Sequence, residues 1–126
     1  MLVLHNLAMA CLAAGNAPYA GAILTEGLEY SLEIGNHWYV AYCLEGFGCL
    51  CVAQEHYSDA ARLFGLAEAI RDQVHAPIPP AEAGMYEPFL SACRNSLPPE
   101  EHDGFWKEGR AWQVDAARTR VLELLA

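Results

Sequence analysis

Basic residues are scarce: 7 Lys and Arg stand against 16 Asp and Glu, for a net charge of −9 over 126 residues. Neither Lys nor Arg occurs before Arg62. A surface of that sign repels phosphate backbones and anionic lipid headgroups, which argues against nucleic-acid and membrane partners. Charged residues of either sign make up only 18% of the chain, below the usual quarter or so. The first half is the poorest in them and is expected to be packed against something. Signatures of chemistry are missing too. There is no GxxxxGK[ST] loop to cradle phosphates, no GxSxG elbow, and no HExxH or HxxxH spacing for zinc. No catalytic residue, metal site or cofactor is therefore expected. The length suits one domain, residues 1–126, rather than a nucleotide-hydrolysing domain joined to a reader domain.

The five cysteines (Cys11, Cys43, Cys49, Cys51 and Cys93) are odd in number and lie in apolar runs rather than turns. A disulfide framework would want even numbers in a loop-rich chain. They read as reduced thiols of a cytoplasmic protein. The opening MLVLHNLAMACLAAG has the look of a leader peptide, but it lacks a basic start, and His5 and Asn6 interrupt it. It is also too short to span a bilayer.

What is there is a repeat at an offset of 40 residues. Leu4, Leu7, Ala8, Cys11, Leu12 and Ala13 align with Leu44, Phe47, Gly48, Cys51, Val52 and Ala53. Ala20, Leu24 and Ile34 align with Ala60, Phe64 and Val74. Each unit reads as helix, short turn, helix. The first hairpin, residues 1–35, has its inner break at Gly15, which takes the left-handed cap conformation, and at Pro18, which suits a first helical turn. Gly35-Asn36 closes it. The second hairpin, residues 37–75, carries Ala60, Leu63, Phe64, Ala67, Ile70 and Val74 at three- and four-residue steps on one face of its second helix. Arg62, Glu68, Arg71 and Asp72 are expected to project away from that face. Small residues at the crossings, Ala8 against Ala20 and Gly48 against Ala60, allow close helix approach, with Leu4, Leu7, Leu24, Leu44, Phe47 and Phe64 filling the flanks.

Ala76-Pro-Ile-Pro-Pro80 is a non-helical break, because residues before proline are driven out of the α region. Three helices are expected to follow as a C-terminal cap over residues 79–126. The first covers about 81–97 and is kinked at Pro88, or else begins near Glu87. The second opens at Pro98-Pro99-Glu100-Glu101, with acids in the first turn as the helix dipole favours. The last runs from about Val114, with Val114, Ala117, Val121, Leu124 and Leu125 as its apolar face.

The small pairs with large residues four before and four after them resemble the packing code of tetratricopeptide repeats. Leu4, Leu7, Ala8, Cys11, Ala20, Leu24 and Gly27 fall on consensus positions in the first unit. Leu44, Phe47, Gly48, Cys51, Ala60, Phe64 and Ala67 do so in the second. Leu32 and Asp72 replace the usual closing proline. The stretches AARLFGLAEAIRDQVHAPIPPAE (60–82) and FWKEGRAWQVDAARTRVLELL (105–125) resemble the end of the helical-repeat region of LuxR-type and MalT-like bacterial regulatory ATPases. The resemblance implies an all-α, right-handed α-α superhelix and a non-enzymatic protein-interaction or regulatory scaffold, either the C-terminal part of a transcriptional regulator or a stand-alone remnant of one. It also implies a concave groove lined by the first helix of each hairpin. His5 and Met9, with Leu2 and Leu12, would face it from one unit, and Tyr42, Glu45 and Cys49, with Val52, from the next. That mixture could hold an apolar or cationic peptide, or alternatively a small-molecule effector. The same residues could instead pack against an upstream repeat or a second copy. The first helix has no polar outer face to serve as a cap, so a homodimer seam is a further expectation.

Other candidates read as structural. Cys49 and Cys51 lie two apart, about 200° around a helix, and cannot share a metal. His102 beside Asp103 reads as a solvated first turn, and Glu26, Glu29 and Glu33 as a solvated acidic stripe.

Overall fold

The computed structural model describes residues 2–125; the side chains of Leu2 and Leu125 lie outside the described set. The architecture is all-α. Its helices are α1 (Leu2–Ala13), α2 (Ala17–Glu33), α3 (His37–Ala53), α4 (Tyr57–Val74), α5 (Pro80–Ser96), α6 (Pro99–Arg110) and α7 (Ala117–Leu125), the last preceded by a 3-10 turn at Val114–Ala116. Among the described residues there is no strand.

The four turns that follow α1 to α4 are one design repeated. Gly15, Gly35, Glu55 and His75, at intervals of 20 residues, all have φ between 54° and 80°. In each, the next residue's N–H donates back to a carbonyl one turn earlier: Asn16 to Cys11, Asn36 to Ser31, His56 to Cys51 and Ala76 to Arg71, at 2.8–3.0 Å. This is the left-handed helix stop that satisfies otherwise orphaned carbonyls. Glycine adopts it freely, whereas Glu55 and His75, both exposed, are held there by the hydrogen bonds of the stop itself. Asn16 and Asn36 then start the following helix by accepting from the backbone N–H of Tyr19 and Tyr39.

Packing follows from the small residues. A Cβ on Gly46 would sit 2.5 Å from Leu24, and one on Gly48 would sit 2.5 Å from Phe64, one turn beyond Ala60. Gly48 therefore lets α3 and α4 close together. Ala8, Ala20 and Ala60 are fully buried. Two further notches lie between α4 and α6. A Cβ on Gly65 would run into the Trp106 carbonyl, and one on Gly109 into the Arg62 carbonyl. Here backbone meets backbone, and α6, not α5, lies along α4. α7 turns back to α2, where Arg118 pairs with Glu29 at 2.9 Å, and buries Ala117 and Val121.

Three expectations change. α5 is continuous from Pro80, with Pro88 inside it, so a start near Glu87 is overturned. Pro88 is tolerated on a helix that buries only Tyr86 and Cys93. Leu7 fills no flank; it is exposed. Arg71 does not project outward; it is buried.

Candidate functional site

The five residues expected to line the concave groove, His5, Met9, Tyr42, Glu45 and Cys49, are together on one side of α1 and α3, and all are buried. α5 packs on α3 beside them and meets α1 at His5. After the Pro-rich segment 76–80, α5 packs against α3, as α3 does against α1, and reaches α1 through Tyr86 and His5. These expected groove residues are thus packed within the chain, with Tyr42 and His5 bonded to α5.

Two side chains of α5, spaced four apart and hence on one helix face, make the contact. Tyr42 donates its hydroxyl to Glu82 at 2.6 Å, and Tyr86 meets His5 Nε2 at 2.8 Å. Burial holds the His5 imidazole below its ordinary pKa of 6.5 and pushes the Tyr86 phenol well up. The neutral ring therefore accepts through Nε2 from the Tyr86 O–H, and Nδ1–H faces Asn6 Oδ1 at 3.5 Å. His5 also lies edge-on to Tyr42, with centroids 5.3 Å apart.

Beside this contact is a buried ion pair. Arg71 donates to Glu45 through Nε at 2.6 Å and Nη2 at 2.8 Å, with both side chains 4% exposed. Its Nη1 donates to the Ala76 carbonyl at 2.9 Å, which fixes the start of the Pro-rich segment. Its guanidinium lies 4.5 Å from the centre of the Tyr42 ring. Burial pushes the Glu45 carboxyl above its usual range, and the two bonds from Arg71 offset part of that. Arg71 loses to burial but gains more from Glu45, so its cation is reinforced. A fork-to-fork pair with the third guanidinium nitrogen also bonded is the arrangement in which a buried pair is tolerable.

The thiols are quiet. Burial pushes Cys43 and Cys51 up to about 12, Cys93 to about 11, and Cys49 well above its ordinary value. They are protonated at neutral pH, which is neither the nucleophilic nor the metal-binding form. Among the described residues no group of three His, Cys, Asp or Glu side chains could hold a metal ion. None of the described helices is long and apolar enough to cross a membrane.

Reading the sequence missed Arg71 and Glu82. The available signal was Glu45 itself: a lone carboxylate in an otherwise uncharged helix must find a cation if it is buried. His102 was misread as well. It is 8% exposed, and its Nε2 is buried without a partner among the described residues.

A second surface stands out by comparison with α3. Cys43, Gly46 and Leu50 lie against α2, where a Cβ on Gly27 would meet Cys43 at 3.3 Å and one on Gly21 would meet Leu50 at 3.3 Å. Forty residues earlier, the same positions on α1 are Val3, Asn6 and Ala10, and Leu7 stands where α3 has Phe47. All four are exposed, Val3 at 77% and Leu7 at 44%.

Compared with models of protein families, with curated proteins and with solved structures, the chain matches none.

Proposed function

We propose that this domain is a non-enzymatic protein-interaction module, of the kind implied by its resemblance to the C-terminal tetratricopeptide-like repeats of LuxR-type and MalT-like bacterial transcriptional regulators, and that it works in the cytoplasm. The partner docks on the outer face of α1, not in the concave groove. One observation carries this reading: Leu7 is exposed while its repeat equivalent Phe47 is wholly buried. In the second hairpin the neighbouring positions Cys43, Gly46 and Leu50 are covered by α2, which brings Gly27, Leu24 and Gly21 to the contact. The occupant of the α1 face is therefore a partner helix of the same chemistry, with small residues at the crossing and an aliphatic side chain between them. α1 carries no charge, so a helix can approach it without the repulsion that the rest of an acidic chain would impose. The burial of His5, Met9, Tyr42, Glu45 and Cys49 speaks against the concave groove as the seat of a peptide or an effector.

The test uses the chain's own α2 as the probe helix. A synthetic peptide of residues 16–35 is titrated into the isotopically labelled domain. Saturable amide shifts confined to Val3, Leu7 and Ala10, and lost in Leu7→Asp, support the reading. Shifts under α5, or none, refute it. Self-association of the domain that Leu7→Asp abolishes would replace the partner helix with a second copy of the chain.

A further inference from the structure

In an acidic molecule, one cleft gathers cationic and aromatic side chains. It lies where the end of α5 meets the first turns of α6. Arg94 and Asn95 come from α5. Pro99, His102, Asp103, Trp106 and Lys107 come from α6, at positions that fall on a single helix face. Two adjoining hollows, of about 300 and 250 Å³, share Arg94, His102 and Asp103. The larger has the volume at which small-molecule sites begin.

Three observations at this cleft are independent of one another. Among the described residues, every arginine has a carboxylate within ion-pair distance, whereas Lys107, the only lysine, has none. His102 Nε2 is buried and unpartnered, and such an atom calls for an explanation in a folded protein. The ring hydrogen-bonds only through Nδ1, to Asp103 at 3.3 Å, and His102 lines both hollows; its χ2 is a soft torsion. Trp106 is held in place from behind: Nε1 donates to Glu68 at 3.1 Å, and the ring stacks on Phe64 with centroids 6.1 Å apart. It is a fixed, half-buried plate. His102 leans on it at 5.5 Å.

We infer that this cleft binds a small planar monocarboxylate, a single-ring aromatic acid. The ring packs against Trp106, and the carboxylate lies on Lys107, with Arg94, which also holds Glu87 at 3.0 Å, at its edge and the Asp103 carboxylate engaged by His102. His102 supplies the hydrogen bond that fixes its orientation. The site is separate from the α1 face, and neither proposal depends on the other.

The experiment is a titration of the full chain with benzoate, read by the indole N–H resonance of Trp106, which is assigned by its disappearance in Trp106→Phe. Benzamide, with the same ring and no charge, is the control. A saturable shift with benzoate is expected, with affinity reduced on the order of fivefold in Lys107→Ala and again in Arg94→Ala, as befits the loss of one partly exposed charge contact. Both side chains are exposed, so neither variant endangers the fold. His102→Phe removes the orienting bond and weakens binding further. No saturable shift, equal binding of benzamide, or affinity indifferent to Lys107 and Arg94 would overturn the assignment.

Discussion

α1 and α3 hold the same place in successive hairpins and are both strongly apolar, yet they live in different surroundings. Every residue of α3 from Tyr39 to Val52 is buried. α1 buries one face, with His5, Ala8, Met9 and Leu12, and leaves Val3, Leu7 and Ala10 to solvent. Composition did not decide this; neighbours did. α3 is enclosed by α1, α2, α4 and α5 at once, whereas α1 has α2, α3 and, through Tyr86, α5. An amphipathic pattern is the mark of a helix with one partner, and an all-round apolar one asks for several. α1 therefore asks for a neighbour that the described residues do not supply.

The comparison breaks most visibly at Leu7 and Phe47. Phe47→Ala should cost about 3–5 kcal/mol, the range for a large aromatic removed from a closed core. Leu7→Ala should stay within about 0.5 kcal/mol, as for a surface change. Urea unfolding of both variants measures the contrast, and equal losses would mean that α1 is covered in solution.

The same register also offers a polar pair to compare. His5 and Glu45 are 40 residues apart, and both face α5. Glu45 is a buried charge, so Glu45→Ala strands Arg71 and should cost about 3–5 kcal/mol. Replacing both by Met and Leu should recover most of that, and a double mutant that stays as unstable as the single would refute the pairing. His5 is a buried neutral base whose effect is smaller and depends on pH. Its folded pKa lies below 6.5, so the unfolded chain binds the proton first. Stability is fully present above 6.5 and falls as the pH drops through that value toward the folded pKa. His5→Phe should flatten that part of the stability profile; an unchanged slope would place the titration elsewhere.

Much of the fold was legible because local rules govern helix ends. Gly15, Gly35 and Pro80 mark boundaries where chemistry at one position decides the backbone. The 20-residue rhythm of the turns was hidden because Glu55 and His75 occupy left-handed positions without glycine, held there by the hydrogen bonds of the helix stop and not by their own preference. The concave residues were legible as a face but not as a covered one. Whether α5 packs beside them depends on Glu82 and Tyr86 finding Tyr42 and His5, contacts between residues 40 and 81 apart in sequence. No periodicity records such a match. Gly65 and Gly109 were unreadable for the same reason, since each matters only through the backbone of a distant helix.

The covered concave face is the central claim, and Cys49 reports on it. It is buried on α3, the helix against which α5 packs, while Cys11 is half-buried and serves as the internal reference. Alkylation of the native protein, followed site by site by mass spectrometry, should modify Cys11 first and Cys49 only as fast as the fold opens. Modification of Cys49 at the rate of Cys11, with the protein still folded, would show that the concave face is open.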